Sequence, residues 1–194
     1  MILCDHHIER AVRDGRIVLD PPLNPAKFDS SSLNLRVGDD FMVWKRDLEA
    51  AATKHLIDLD NIDLSALTGL SDRVEPTNEG LIVIRPGDFV LVRTLEYIHL
   101  PIKGKLAARV EGRSKQARLG MTAHITAPTI HAGFRGKIVL EILNHGPFQL
   151  EVRPNQSKLC QLVFEEVSAI PQRSGSYAFA DQSTVLGTPK IKPR

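Results

Sequence analysis

The 13 glycines and 12 prolines of this 194-residue chain interrupt it at short intervals over most of its length. Proline lacks a backbone donor and glycine weakens regular elements, so both residues end helices and strands. Short aliphatic and β-branched runs lie between them, as in strands. The sequence therefore predicts a mainly β fold with little helix, arranged as a barrel or a jelly roll. The strand candidates are 33–37, 80–84, 89–94, 105–110, 121–126, 136–144, 148–153 and 159–166.

The beginning of the chain predicts one short helix, over residues 5–14. Asp5 can cap this helix, apolar positions from Ile8 onward recur three and four residues apart, and Gly15 is a natural stop. Further along the chain, the candidates 80–84 and 89–94 are joined by an Arg-Pro-Gly-Asp turn. This arrangement predicts a β-hairpin.

The charge and the cysteine content limit the classes of binding partner and the cellular compartment that we expect. The 25 basic and 23 acidic residues leave a net charge of +2, so no chain-wide field attracts nucleic acid or a membrane surface. Cys4 and Cys160 share no C-x-x-C spacing, which favours a cytoplasmic protein without a disulfide framework or a zinc knuckle. No apolar run approaches the ~18 residues that span a bilayer. We expect one domain over 1–170 and a C-terminal arm over 171–194, which either frays or orders over a ligand.

A basic segment with one hydroxyl group lies near the middle of the chain. Arg113, Ser114, Lys115 and Arg118 closely follow Gly112. If a strand leads here into one helical turn, cations, a hydroxyl and free backbone N–H groups meet in one place, as phosphate oxygens require. The G-x-x-x-x-G-K-S/T spacing of a Walker loop is absent. Two interpretations stay open, a phosphate-binding turn and a solvated basic loop.

Glu141 interrupts an otherwise apolar strand candidate. A carboxylate in apolar surroundings gains the proton affinity that a general base needs, and the equal alternative is a structural ion pair with an arginine. His124 is interpreted as a packed strand residue, and His131 is placed to line a pocket beside the Glu141 strand. The segment His7-Ile8-Glu9 matches half of a zinc deaminase signature, but the P-C-x-x-C half is absent, so we treat the match as coincidence.

Several short segments, in one order, resemble the dCTP deaminases of the trimeric dUTPase superfamily, from the first residues to about Glu166. They are Ser31-Ser32-Leu33-Asn34-Leu35-Arg36-Val37-Gly38, Glu111-Gly112-Arg113-Ser114, Ala117-Arg118-Leu119-Gly120, Thr126-Ala127-Pro128, Gly133-Phe134-Arg135-Gly136, Leu140-Glu141 with Asn144, and Cys160-Gln161-Leu162. The resemblance implies a distorted jelly-roll β-barrel of the dUTPase-like type with a short N-terminal helix. It also implies a homotrimer with active sites at the subunit interfaces.

The resemblance also implies a role for each candidate residue. Glu141 is the general base that activates water at C4 of cytosine, Arg118 steadies the developing charge, and Ser114 belongs to the catalytic group as well. No zinc takes part, and Mg²⁺ arrives bound to the triphosphate. The implied substrate contacts are Arg113, Ser114 and Lys115 at the phosphates, the Val139 and Leu140 backbone and Ala127 at the base, His131 at the sugar, and Gln182 from the arm.

The leading functional hypothesis is deamination of dCTP to dUTP and ammonia, which feeds dUMP and dTTP synthesis, with dTTP as a possible inhibitor. The alternatives are a dUTP diphosphatase, a bifunctional enzyme that forms dUMP from dCTP, and an inactive nucleotide-binding regulator. Within the resemblance, dUTPases and many deaminases have an aspartate at the position of His131, and dUTPases usually have an apolar residue at that of Glu141. Both differences favour deamination.

Overall fold

The computed structural model describes residues 1–23, 28–45, 57–62 and 64–172. In this part of the chain strands dominate and helices are short, as the sequence predicts. No helix there combines the length and the apolar character needed to cross a membrane. The predicted arm, apart from its first two residues, lies outside the described residues.

The N-terminal helix α1 spans Asp5–Arg13, which confirms the predicted helix. Ile8 and Ala11 are fully buried on its apolar side. The start of the helix differs from expectation, because Cys4 and not Asp5 occupies the N-cap position, and its side chain makes no capping hydrogen bond. Gly15 follows the helix with φ +70°, a left-handed conformation that ends helices.

Twelve strands are the main regular elements of the described chain, and all of their pairings are antiparallel. They are β1 (Val18–Asp20), β2 (Phe28–Asp29), β3 (Ser32–Arg36), β4 (Met42–Trp44), β5 (Ser71–Arg73), β6 (Ile82–Ile84), β7 (Phe89–His99), β8 (Leu106–Gly112), β9 (Thr129–Ile130), β10 (Arg135–Leu143), β11 (Leu150–Val152) and β12 (Lys158–Glu166). A one-turn helix, α2, spans Ser114–Ala117. Two 3-10 helices span Leu64–Leu70 and Ile102–Gly104.

The strands form two five-stranded sheets and one two-stranded sheet. The first sheet has the order β1-β7-β4-β5, and β10 also pairs with β7. The second has the order β2-β3-β12-β8-β9, and β6 pairs with β11 in the small sheet. The mainly β fold is thus confirmed, while no closed barrel is detected among the described strands.

The predicted hairpin of 80–84 and 89–94 is wrong. β6 pairs with β11, whereas the eleven-residue β7 pairs with β10 along most of its length. The turn between them exists, because the Asp88 amide donates to the Arg85 carbonyl over 3.0 Å, but it carries the chain from one sheet to another. The predicted strand over 121–126 is also wrong, since this segment is a loop with a single bridge between Met121 and Asn144.

One apolar cluster, built from α1 and strands of all three sheets, forms the core. An ion pair with one fully buried member lies beside it, in which Nε of the partly exposed Arg36 is 2.7 Å from Oε1 of the buried Glu96. Cys160 is also fully buried, and burial together with the nearby Glu96 raises the pKa of its thiol to about 12. This thiol stays protonated at neutral pH and fills core space.

Candidate active site

Arg113 lies where three of the sequence motifs meet. It directly follows β8, which lies beside β12, and β12 in turn lies beside β3. The Arg113 guanidinium donates a hydrogen bond to Oδ1 of Asn34 on β3, a residue only 7% exposed. Asn34 Nδ2 in turn donates to Asp29 Oδ2 over 2.5 Å. Because Asn34 is fixed on both sides, it holds the Arg113 side chain in one direction.

Gln161 completes the link between the same three strands. Its Oε1 accepts a hydrogen bond from the Ser32 hydroxyl over 2.7 Å, and its Nε2 donates to the Gly112 carbonyl over 3.0 Å. The side chain therefore fixes the end of β8, immediately before Arg113. The motif around Gln161 has a positioning role that the sequence alone did not assign.

The helical turn α2 presents the other members of the basic segment. Ser114, Lys115 and Arg118 are exposed, and Arg118 Nη2 lies 3.2 Å from Ser114 Oγ, to which it donates. Gln116 anchors the turn from its inner side, because its Nε2 donates to the Lys158 carbonyl over 2.9 Å. A hydroxyl and two cations on one fixed turn can contact the oxygens of an anion.

Glu141 lies in β10, where residues alternate between buried and half-exposed. Leu140 and Ile142 are fully buried, whereas Glu141 shares the half-exposed side with Val139 and Leu143. The expected burial of this carboxylate in apolar surroundings is therefore wrong. Its Oε2 accepts a hydrogen bond from the Ile125 backbone N–H over 3.2 Å. No described residue forms an ion pair with it, so the described contacts do not support a structural salt bridge.

The loop after α2 runs beside the end of β10. The Thr122 backbone N–H donates to the Leu143 carbonyl over 3.0 Å, and the Leu143 N–H donates to Thr122 Oγ1 over 3.1 Å. At Gly120, with φ +90°, an added Cβ would lie only 2.3 Å from the Gly146 nitrogen. This close crossing keeps the loop against β10 and places Arg118 and Glu141 on neighbouring segments. Among the described residues, no hydrogen bond or ion pair joins the two directly.

The remaining predicted site residues differ in their exposure and in their position relative to β9 and β10. Ala127 and His131 are exposed, on either side of β9. Val139 and Leu140 pair with Arg93 and Val92 of β7. Because β7 is the only described strand partner of β10, alternate backbone groups of β10 face its other edge. The predicted contact Gln182 lies outside the described residues.

His124 differs from its sequence interpretation, because it lies in the loop after α2 and not in a strand. Its Nδ1 is buried and has no hydrogen-bond partner among the described residues. The next residue, Ile125, contacts the Glu141 carboxylate. His124 therefore belongs to the surroundings of the candidate site.

Comparison with solved structures gives the fold class. The chain is similar to the crystal structure of 2′-deoxycytidine 5′-triphosphate deaminase from Agrobacterium tumefaciens, with a TM-score of 0.60 and 22% sequence identity. The match covers 85% of this chain and 47% of that one, so the chain spans about half the length of the solved protein. This similarity confirms the expected mainly β fold, which the chain shares with this solved deaminase.

Sequence comparison gives the family. The model of the family described as dCTP deaminase-like matches residues 2–167, and the chain belongs to this family. It is 41% identical over 169 residues to "dCTP deaminase, dUMP-forming" of Methanosphaera stadtmanae, covering 87% of this chain and 80% of the relative. It is 33% identical over 179 residues to "dCTP deaminase" of Shewanella frigidimarina, covering 89% and 87%.

Proposed function

We propose that this chain catalyses the hydrolytic deamination of dCTP. The proposal rests on membership of the dCTP deaminase-like family. The placement of Glu141 beside the loop that follows α2 supplies a candidate general base. The carboxylate lies on the half-exposed side of β10 and forms no described ion pair. It is therefore available to take a proton from water.

The proposed reaction converts dCTP and water to dUTP and ammonia. Glu141 removes a proton from water as the oxygen attacks C4 of cytosine, and it delivers this proton to N3 of the ring. The carboxylate then takes the second proton from the new C4 hydroxyl and delivers it to the amino group, so that the C4–N bond breaks, ammonia leaves and the C4 carbonyl forms. The carboxylate ends in its initial state. Arg118 and Ser114, which already contact each other over 3.2 Å, stabilise the water and the developing charge. No zinc ion takes part.

The same region offers contacts for each part of the nucleotide. Arg113, Ser114 and Lys115 bind the triphosphate, and Mg²⁺ enters as part of this substrate. The open edge of β10 at Val139 and Leu140, together with the loop at Ala127, binds the base. We assign His131 to the sugar, and Gln182, which lies outside the described residues, to a further nucleotide contact.

We propose a homotrimer, as the family resemblance implies, with each site divided between two subunits. Within the described part of one chain, Glu141 and Arg118 have no direct contact. Glu141 also pairs across the sheet with Leu91, which packs with four partly buried apolar side chains. These four are Met42, Trp44, Phe89 and Val139. A second subunit covering this side of the sheet supplies the missing half of the site.

Formation of dUMP is the second candidate function. It is favoured by the name of the Methanosphaera relative, whose 41% identity exceeds the 33% identity of the Shewanella protein. It requires a second hydrolysis, between the α- and β-phosphates, which releases pyrophosphate. His131 stands against it, because the resemblance to dUTPases leads us to expect an aspartate there.

Product analysis separates these possibilities. The purified chain is incubated with Mg²⁺ and either dCTP or dUTP, and ammonia, dUTP, dUMP and pyrophosphate are measured. Ammonia with dUTP supports deamination alone, and ammonia with dUMP and pyrophosphate supports the bifunctional reaction. Pyrophosphate from dUTP without ammonia from dCTP indicates a diphosphatase. Binding of dCTP or dTTP without any product indicates a regulator, and either of these two results overturns the proposal.

A further inference from the structure

Three metal-ligating side chains converge at the beginning of the chain. Cys4 Sγ lies 3.2 Å from His6 Nδ1, 3.7 Å from His6 Nε2 and 3.1 Å from His7 Nδ1. One ligand atom from each of the three residues lies within 4.8 Å of the others. In a tetrahedral zinc site, sulfur and nitrogen ligands are separated by roughly 3.5 Å, given Zn–S and Zn–N bonds of about 2.3 and 2.0 Å. Small side-chain rotations therefore bring these atoms to coordination distance of one ion.

The backbone that carries the three residues is fixed on both sides of Cys4. The Leu3 N–H donates to the Phe164 carbonyl over 3.0 Å, and the Asp5 N–H donates to the Ser30 carbonyl over 2.9 Å. Cys4 is the N-cap residue of α1, yet its side chain makes no capping bond. The thiol is thus free of the usual N-cap role and lies beside two imidazoles on a rigid turn.

Asp5 adds a contact that suits a metal-bound histidine. Its Oδ1 lies 3.3 Å from His6 Nδ1 and accepts a hydrogen bond from the His6 backbone N–H over 2.7 Å. Metal-ligating histidines commonly donate their second ring N–H to a carboxylate, which fixes the tautomer and the ring. With Nδ1–H held by Asp5, Nε2 of His6 is left to face the ion.

We propose that Cys4, His6 and His7 form a binding site for a borderline divalent cation of the zinc type. Thiolate and imidazole are the ligands that this class of ion prefers over Mg²⁺ or Ca²⁺. Because His6 and His7 are exposed, solvent completes the fourth position and the ion exchanges freely. No described hydrogen bond or ion pair joins these side chains to Ser114, Arg118 or Glu141. The site is therefore separate from the proposed catalysis, and neither proposal rests on the other.

Cobalt titration tests the site directly. Full-length protein without a polyhistidine tag is titrated with Co²⁺, followed by its visible and near-ultraviolet absorption, and then with Zn²⁺. We expect one equivalent of Co²⁺ per chain, a thiolate-to-cobalt charge-transfer band, and loss of that band when Zn²⁺ displaces the cobalt. Cys4→Ser removes the band, and His7→Ala weakens binding at least tenfold.

His145→Ala is the matched control, because His145 is an exposed histidine outside the cluster. This variant keeps both the stoichiometry and the band. Thermal unfolding of each variant without metal verifies that the fold is retained. The proposal is overturned if Co²⁺ does not bind, if it binds without a thiolate band, or if Cys4→Ser binds as well as the unmodified chain.

Discussion

Arg113 and Arg118 lie five positions apart, but their surroundings differ. Arg113 is half-buried and donates to the buried Asn34, which is itself held by Asp29. Arg118 is exposed, and the only described hydrogen bond of its side chain is to the Ser114 hydroxyl on the same turn. The first arginine is fixed by the fold before any ligand arrives, whereas the second keeps most of its donors for a ligand. We interpret Arg113 as a positioned phosphate contact and Arg118 as a group that completes its contacts during the reaction.

The two large sheets repeat this contrast. In the sheet that contains β3, β8 and β12, polar side chains such as Ser32 and Gln161 satisfy one another across the strands. In β10 of the other sheet, the Glu141 carboxylate has one backbone N–H as its described partner. A half-exposed carboxylate with spare acceptor capacity takes its further partners from water, substrate or another subunit. Each of the following predictions tests one side of this contrast.

Glu141→Gln carries the largest expected effect. The amide keeps the size of the side chain but cannot accept a proton, so kcat falls by the ~10²–10⁴-fold typical of acid–base groups or more. Binding of dCTP, followed by isothermal calorimetry, stays nearly unchanged. Glu151→Gln, at an exposed position of β11, is the control and keeps the kcat of the unmodified chain. Deamination at the original rate by Glu141→Gln would remove the carboxylate from the mechanism.

Asn34→Ala tests whether Asn34 holds the Arg113 side chain in position before the ligand binds. Without its acceptor the Arg113 guanidinium loses its direction, and KM for dCTP rises by about tenfold, the equivalent of ~1.4 kcal/mol from a lost charged hydrogen bond. We expect a smaller change in kcat, since Arg113 contacts phosphates and not the reacting carbon. Asn78→Ala, in an exposed loop, serves as the control, and steady-state kinetics give both parameters. A selective fall in kcat would contradict the assignment of Arg113 to the phosphates.

Mixing two inactive variants tests whether another subunit completes the site on the half-exposed side of β10, which carries Glu141. Glu141→Gln and Arg118→Ala chains, carrying different affinity tags, are coexpressed, and assemblies with both tags are purified. If each site combines Glu141 of one subunit with Arg118 of the next, every purified trimer that contains both variants regains about one of its three sites. Each variant expressed alone remains inactive. If the mixed assembly is also inactive, both residues act within one subunit and the interface account is wrong.

The sequence predicted the features that depend on local interactions and missed those that depend on contacts between distant segments. The helix over 5–14 and the basic turn depend on local patterns, and both were found. The β6–β11 pairing and the Asn34–Arg113 contact join distant segments, which local turn chemistry does not encode. The side of β10 that carries Glu141 was predictable from period-two alternation, but the apolar character of the strand was interpreted as burial. The sequence does not indicate why residue 146 is a glycine, because the lack of space for a side chain there arises only from the crossing with the segment of Gly120.

Oxygen tracing tests the central claim most directly. The chain is incubated with dCTP and Mg²⁺ in water labelled with ¹⁸O, and the products are analysed by mass spectrometry together with released ammonia. Hydrolytic deamination predicts one ¹⁸O at C4 of the base in every product molecule and one ammonia for each. A second ¹⁸O in the phosphate products would add dUMP formation to the same account. Turnover that leaves the C4 amino group in place, with ¹⁸O in phosphate alone, would contradict it.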